Sequence, residues 1–207
     1  GGEVDLTALP VPIHHAGDGG RYIGTADCII TRDPDDGWVN VGTYRAQLKG
    51  DDEIFVYMED GKHGRLHQDK HFERDERMPI AATFGQSPAA FISAANETDK
   101  GVNEFEFAGG LRGRPYEVIE GPITGLPLPA HAEVAVEGYL DPDHVDTEGP
   151  FGEWMGYYGS GTHQAPYLTV EAIYHRDDPI LTCTFPHKPP QEQAMFRSIV
   201  RSALLKR

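Results

Sequence analysis

The sequence predicts an α+β domain built around a mostly antiparallel sheet or barrel. Twenty-four glycines and 16 prolines in 207 residues cut the chain into segments too short for a helical bundle. Strand-like runs gather toward the two ends of the chain, and helical runs occupy its middle and its tail. Segregated runs of this kind favour α+β over an alternating parallel fold.

In order, "RYIGTADCIITRD", "GWVNVGTYRAQL" and "EIFVYME" read as strands, with "DPDDGW" as the turn between the first two. "GRLHQDKHFERDER" is polar with helical potential, and Pro79 is its expected stop. "PIAATFG" reads as a short buried strand. "SPAAFISAAN" reads as a helix with Ser87 as N-cap and Pro88 in its first turn. "GVNEFEFAGGLRG" is the next helix. β character then returns in "RPYEVIEG", "HAEVAVEGYL", "PYLTVEAIYHR" and "PILTCTF". The tail "PPQEQAMFRSIVRSALLKR" is an amphipathic helix running to the last residue. A helix that stops there without a cap suggests a chain cut from something longer. No repeat of 20–50 residues is present.

Apolar content of 39% and aromatic content of 10% are those of a globular protein. The net charge of −15 argues against nucleic acid or an anionic membrane surface as partner, because both need clustered Lys and Arg. No run approaches 18 apolar residues and no leader opens the chain, so a cytoplasmic protein is expected. Cys28 and Cys183 lie in apolar, strand-like runs outside any metal spacing, and buried reduced thiols are expected for both.

His63, His67 and His71 stand at i, i+4 and i+8, one face of a helix. A zinc-protease helix would carry Glu after its first His, where Gly64 stands, so a solvated helix face is expected instead. "GDGGRYIG" has no preceding strand and reads as a turn, and no nucleophile elbow is present. Two features remain. One is the pair Glu148 and Glu153 around "GPFG", followed by Trp154, Tyr157 and Tyr158. The other is "DGWVNVGTYRAQ", where Asn40 and Arg45 are five apart and so point to opposite faces of an extended strand. Arg45 offers a planar donor fork suited to a carboxylate, and Asn40 a hard carbonyl oxygen.

The strings "DGGRYIGTADCIITRDPDDGWVNVGTYR", "GKH" and "EGPFGEWMGYY", with "AEVAVEG" and "YLTVEAIYHRDDPI", resemble the UbiD family of reversible decarboxylases that use prenylated FMN. The resemblance implies a split β-barrel over residues 1–190, related to other flavin-binding barrels. Residues 191–207 would lead toward a C-terminal domain that members of about twice this length carry. That domain would close the site and hold the dimer contacts of a homo-oligomer, so weak turnover is expected of 207 residues alone.

The resemblance also implies roles for individual residues. Asn40, His63 and Glu104 match positions that hold Mn²⁺ (or Mg²⁺) against the cofactor phosphate, a mostly hard donor set. Thr43, Tyr44, Arg45, Lys62 and His63 match segments that line the cofactor, and K⁺ would sit on carbonyls of residues 93–96. Arg45, Glu148 and Glu153 match the catalytic set. Decarboxylation of an α,β-unsaturated or (hetero)aromatic acid would proceed through a cycloadduct with the prenylated flavin, which a flavin prenyltransferase supplies. Glu153 would donate the proton while Glu148 pairs with Arg45. Two other readings of the residues remain: a non-catalytic flavin- or metal-binding split barrel, and a glycosidase using Glu148 and Glu153.

Overall fold

The computed structural model describes residues 4–159 and 161–206. Ten strands form: β1 (Tyr22–Gly24), β2 (Cys28–Arg32), β3 (Val39–Gly42), β4 (Ala46–Leu48), β5 (Glu53–Val56), β6 (Met78–Phe84), β7 (Val118–Glu120), β8 (Pro127–Pro129), β9 (Val134–Glu148) and β10 (His163–His175). The helices are α1 (His63–Phe72), α2 (Pro88–Ala94), α3 (Glu104–Arg112) and α4 (Glu192–Leu204). Eight strands make one sheet in the order β1-β4-β5-β10-β9-β6-β2-β3, and every pairing in it is antiparallel. β7 and β8 form a separate ribbon. The α+β, mostly antiparallel split-barrel class is the one the sequence predicts.

The middle of the sheet is buried on both faces. Ile29 of β2 and Ile80, Ala82 and Phe84 of β6 face one apolar cluster, with Ile54, Val56, Val136 and Leu168. Their neighbours Cys28, Ile30 and Ala81 point the other way, against Ala90 and Ala94 of α2 and Phe105 of α3. Strands sealed on both sides read as continuous apolar runs, which is why "CIITR" and "PIAATF" show no polar alternation. Helix α2 starts as its sequence dictates: the Ser87 hydroxyl accepts from the Ala90 N–H and Pro88 fills the first turn. Helix α3 opens on Asn103, whose side chain accepts from the Phe105 N–H, and closes on Gly113 at φ 69°.

Several expectations are corrected. Helix α1 ends at Phe72, followed by Asp75 in the left-handed region at φ 57°, and Pro79 lies inside β6 instead of stopping the helix. The α1 histidines do not form a solvated face. His67 and His71 are buried against the sheet, and His67 Nδ1 meets the Thr31 hydroxyl at 2.9 Å. "PILTCTF" is irregular, not a strand. Cys28 is buried as expected, but Cys183, in that irregular segment, is exposed. Helix α4 ends at Leu204, short of the last residue.

The break between β3 and β4 shapes the interior of the fold. At Thr43 the backbone N–H leaves the ladder and donates to the Ala94 carbonyl of α2 at 3.2 Å. The chain turns there, so Asn40 and Arg45 line the same cavity and do not fall on opposite faces as an unbroken strand would place them.

Candidate active site

A cavity of about 1010 Å³ opens between the β3–β4 bend, the α1 N-terminus, the segment after α2, and α4. Arg45 is part of its wall. Its Nε donates to Glu148 Oε1 at 3.0 Å and its Nη2 to Glu148 Oε2 at 2.6 Å, a two-point fork. Its Nη1 donates to Glu153 Oε1 at 3.2 Å. The guanidinium also lies 4.5 Å above the Tyr57 ring centroid. One arginine thus joins two carboxylates 103 and 108 residues further along the chain.

The long β9–β10 hairpin positions both acids. Glu148 is the last residue of β9, paired across the ladder with His163, and the connecting loop carries Phe151 and Glu153. Glu148 is fully buried, and its Oε1 also accepts from the Tyr22 hydroxyl at 3.1 Å. Gln47, opposite Tyr22 in the β1–β4 register, accepts from the Gly149 N–H at 2.9 Å and ties the loop to the sheet. The Glu153 backbone is held by a turn, N–H to the Tyr157 carbonyl at 2.9 Å. Burial pushes the Glu153 carboxyl above the usual range, and this outweighs the opposing pull of Arg45. The two acids therefore differ in setting: one clamped in a fork, the other at the cavity wall.

Asn40, His63 and Glu104 line the same cavity, together with Thr43, Tyr44 and Lys62. Asn40 is buried and its amide nitrogen has no hydrogen-bond partner. Glu104 accepts from the Val41 N–H at 3.0 Å and the Thr98 hydroxyl at 2.7 Å. Burial nevertheless raises its carboxyl above the ordinary value. Lys62 pairs with Glu97, and the Tyr44 hydroxyl accepts from the Gly64 N–H at the start of α1. Among the described residues no three of His, Cys, Asp and Glu converge as a metal cage on their own.

The structure thus gathers every sequence-predicted site residue around one cavity or, for Glu148, behind the arginine that lines it. Sequence reasoning missed Tyr22, Gln47 and Tyr57. Tyr22 and Tyr57 sit in strand-like runs whose spacing carries no sign of Arg45 or Glu148; only strand register brings them together.

Known proteins share this arrangement of fold and chain. A family model described as UbiD, 3-octaprenyl-4-hydroxybenzoate carboxy-lyase Rift-related domain, matches residues 1–189. An uncharacterized protein of Aquifex aeolicus (strain VF5) is 38% identical over 193 residues, 92% of this chain and 39% of the relative. An evolved dimeric form of the UbiD-class enzyme HmfF from Pelotomaculum thermopropionicum, solved with prFMN, superposes with a TM-score of 0.89 at 33% identity, covering 98% of this chain and 46% of that one. The closed form of Sedimentibacter hydroxybenzoicus vanillic acid decarboxylase gives 0.86 at 30% identity, over 95% of this chain and 41% of that one. The chain therefore spans less than half the length of these relatives. Flavoredoxin of Desulfovibrio vulgaris (Miyazaki F), at 12% identity and a TM-score of 0.54 over 87% of this chain and 82% of that one, shares the fold alone. Fold, matched residues and solved neighbours converge: the chain belongs to the UbiD family.

Proposed function

We propose that this chain carries the cofactor site and catalytic residues of a reversible, non-oxidative decarboxylase acting on an α,β-unsaturated or (hetero)aromatic acid with prenylated FMN. The observation that carries the reading is the Arg45 guanidinium joining a clamped carboxylate, Glu148, to one whose pKa burial raises, Glu153. Kinship to enzymes solved with prFMN and FMN supports the flavin.

The residues present fit the group. The cavity is of a size for a nucleotide-sized ligand. The Asn40 amide, buried with its nitrogen unpartnered among the described residues, and the buried Glu104 carboxyl supply oxygen donors of the kind a hard cation takes. Asn40, His63 and Glu104 would hold Mn²⁺ or Mg²⁺ with phosphate oxygens completing the shell, and carbonyls of residues 93–96 would hold K⁺. When bound, the prenylated flavin supplies a dipole that takes up the electron pair freed as carbon dioxide leaves.

The chain's own residues do the rest. Of the five N–H donors of Arg45, three are engaged by Glu148 and Glu153. Two remain to orient a substrate carboxylate. Glu148 and Tyr22 fix the guanidinium plane so that this orientation is held before substrate arrives. Glu153, whose acid form burial favours, delivers a proton to the carbon that loses carbon dioxide. Trp154 and Phe151 line the same wall and exclude water. A flavin prenyltransferase would supply the cofactor, and assembly as a homo-oligomer would complete the site. Glu148, fully buried and held by Arg45 and Tyr22, does not face the cavity, so the two acids do not flank a sugar as a glycosidase pair would.

The test is carbon dioxide release from a panel of acrylic, aromatic and heteroaromatic acids by the cofactor-loaded protein. Glu153→Gln is expected to lose about 10²- to 10⁴-fold in rate while retaining flavin. The wild-type rate should fall as pH rises through the raised Glu153 pKa, because the acid form is then lost. Unchanged turnover in Glu153→Gln would leave a non-catalytic flavin-binding barrel as the better reading.

A further inference from the structure

Helix α4 lies beyond the family-matched residues and contributes Arg197 and Arg201, one helical turn apart, to the cavity wall. Their situation is unusual for this protein. The other charged groups of that wall are largely matched: Arg45 with Glu153, Lys62 with Glu97, and Asp60 with Arg65. Among the described residues Arg197 has no hydrogen bond or ion pair, although it is half-buried and its Nε is shielded from solvent. Arg201 makes none either, and the two guanidiniums repel each other. Burial and that repulsion pull the Arg197 pKa down, and the nearest acid, Glu97, is already held by Lys62.

A chain with a net charge of −15 had many carboxylates with which to neutralise this pair. Two adjacent cations without partners, one of them half-buried, leave a stretch of the cavity wall suited to an anion. Their place along the cavity is defined as well. Glu97, which feels both arginines, is followed by Thr98, whose hydroxyl donates to Glu104. The arginines therefore share the stretch of cavity wall that carries Glu97 and, beside it, Thr98, the partner of Glu104.

We infer that Arg197 and Arg201 of α4 form a binding subsite for a phosphomonoester dianion, which, on the proposed flavin reading, is the phosphate of the flavin nucleotide. A dianion spread over three oxygens matches two guanidinium forks better than a single carboxylate does. Helix α4 thereby acts as part of the cofactor site and not only as a cover on its rim. The rest of the phosphate shell would come from a cation held by Asn40, His63 and Glu104.

The test compares FMN with riboflavin, which lacks the phosphate, by flavin fluorescence quenching on the protein and two variants. Wild type is expected to bind FMN the more tightly. Arg197→Gln should weaken FMN binding about 10- to 100-fold and leave riboflavin binding unchanged, while Arg197→Lys restores part of the loss. The riboflavin arm reports an intact cavity. Should Arg197→Gln fail to fold, the exposed Arg201→Gln is judged by the same comparison, with a smaller selective loss expected. Equal wild-type affinity for the two flavins, unchanged FMN affinity in the variants, or an equal loss for both flavins would overturn the subsite and leave the flavin reading standing. A wild-type protein that binds neither flavin would overturn both.

Discussion

Removing Arg45 should cost the protein far more than a surface arginine would. The side chain is 12% exposed, and the carboxylate it clasps through bonds of 3.0 and 2.6 Å is fully buried. In Arg45→Met, Glu148 is left in an apolar setting with the Tyr22 hydroxyl as its remaining side-chain donor. Breaking one side of a buried ion pair costs about 3–5 kcal/mol, most of it from the stranded charge. For a chain of this size each kcal/mol lowers Tm by roughly 2–4 °C, so a fall of roughly 6–20 °C is expected. Adding Glu148→Gln removes the stranded charge, and the double variant should recover about 1–3 kcal/mol relative to the sum of the single changes. Urea denaturation of the four proteins, monitored by tryptophan fluorescence, measures the cycle. A cost below about 1 kcal/mol for Arg45→Met, or simple additivity of the two changes, would refute the buried fork.

Two further expectations rest on other parts of the fold. Burial pulls the His67 imidazole down from its ordinary 6.5 to about 4. The unfolded chain takes up that proton near pH 6.5 and the folded chain only near 4, so stability is full above the upper value and falls between them. The loss is on the order of 3 kcal/mol, and His67→Gln, which can still bond Thr31, should flatten the dependence; equal urea midpoints at pH 7 and 4.5 would refute it. Gly19 approaches the active-site loop so closely that an added Cβ would lie 1.9 Å from the Gly149 carbonyl oxygen. Gly19→Ala should cost about 1–3 kcal/mol and displace the turn between Glu148 and Glu153, whereas a variant that melts with wild type would deny that contact.

What could be read from the sequence was what depends on neighbours in the chain. The Ser87-Pro88 start of α2 is local capping chemistry. The doubly buried strands β2 and β6 announce themselves as unbroken apolar runs. What escaped depends on contacts from elsewhere. "PILTCTF" has strand composition but joins no strand of the sheet; its Thr184 N–H donates instead to the Thr25 hydroxyl. Helix α1 carries histidines where leucines would announce a buried face, so its packing on β2 and β3 left no apolar stripe. Asn40 and Arg45 could share a cavity only because Thr43 abandons the ladder for the Ala94 carbonyl, a bond to a residue 51 positions away. Grouping Arg45 with Glu148 and Glu153 came from the family resemblance, since no spacing rule joins residues more than a hundred apart. Tyr22 and Gln47 show the same limit from the other side: with no motif to mark them, they emerge only once the β1–β4 register is known.

The central claim is that one cavity holds a prenylated flavin through a metal site built on Asn40 and performs proton transfer from Glu153. Native mass spectrometry tests it most directly, on protein produced together with a flavin prenyltransferase and Mn²⁺. A bound prenylated-FMN mass is expected in the wild type and in Glu153→Gln, and its loss in Asn40→Ala. Folded wild-type protein without flavin, or cofactor retained in full by Asn40→Ala, would contradict the claim.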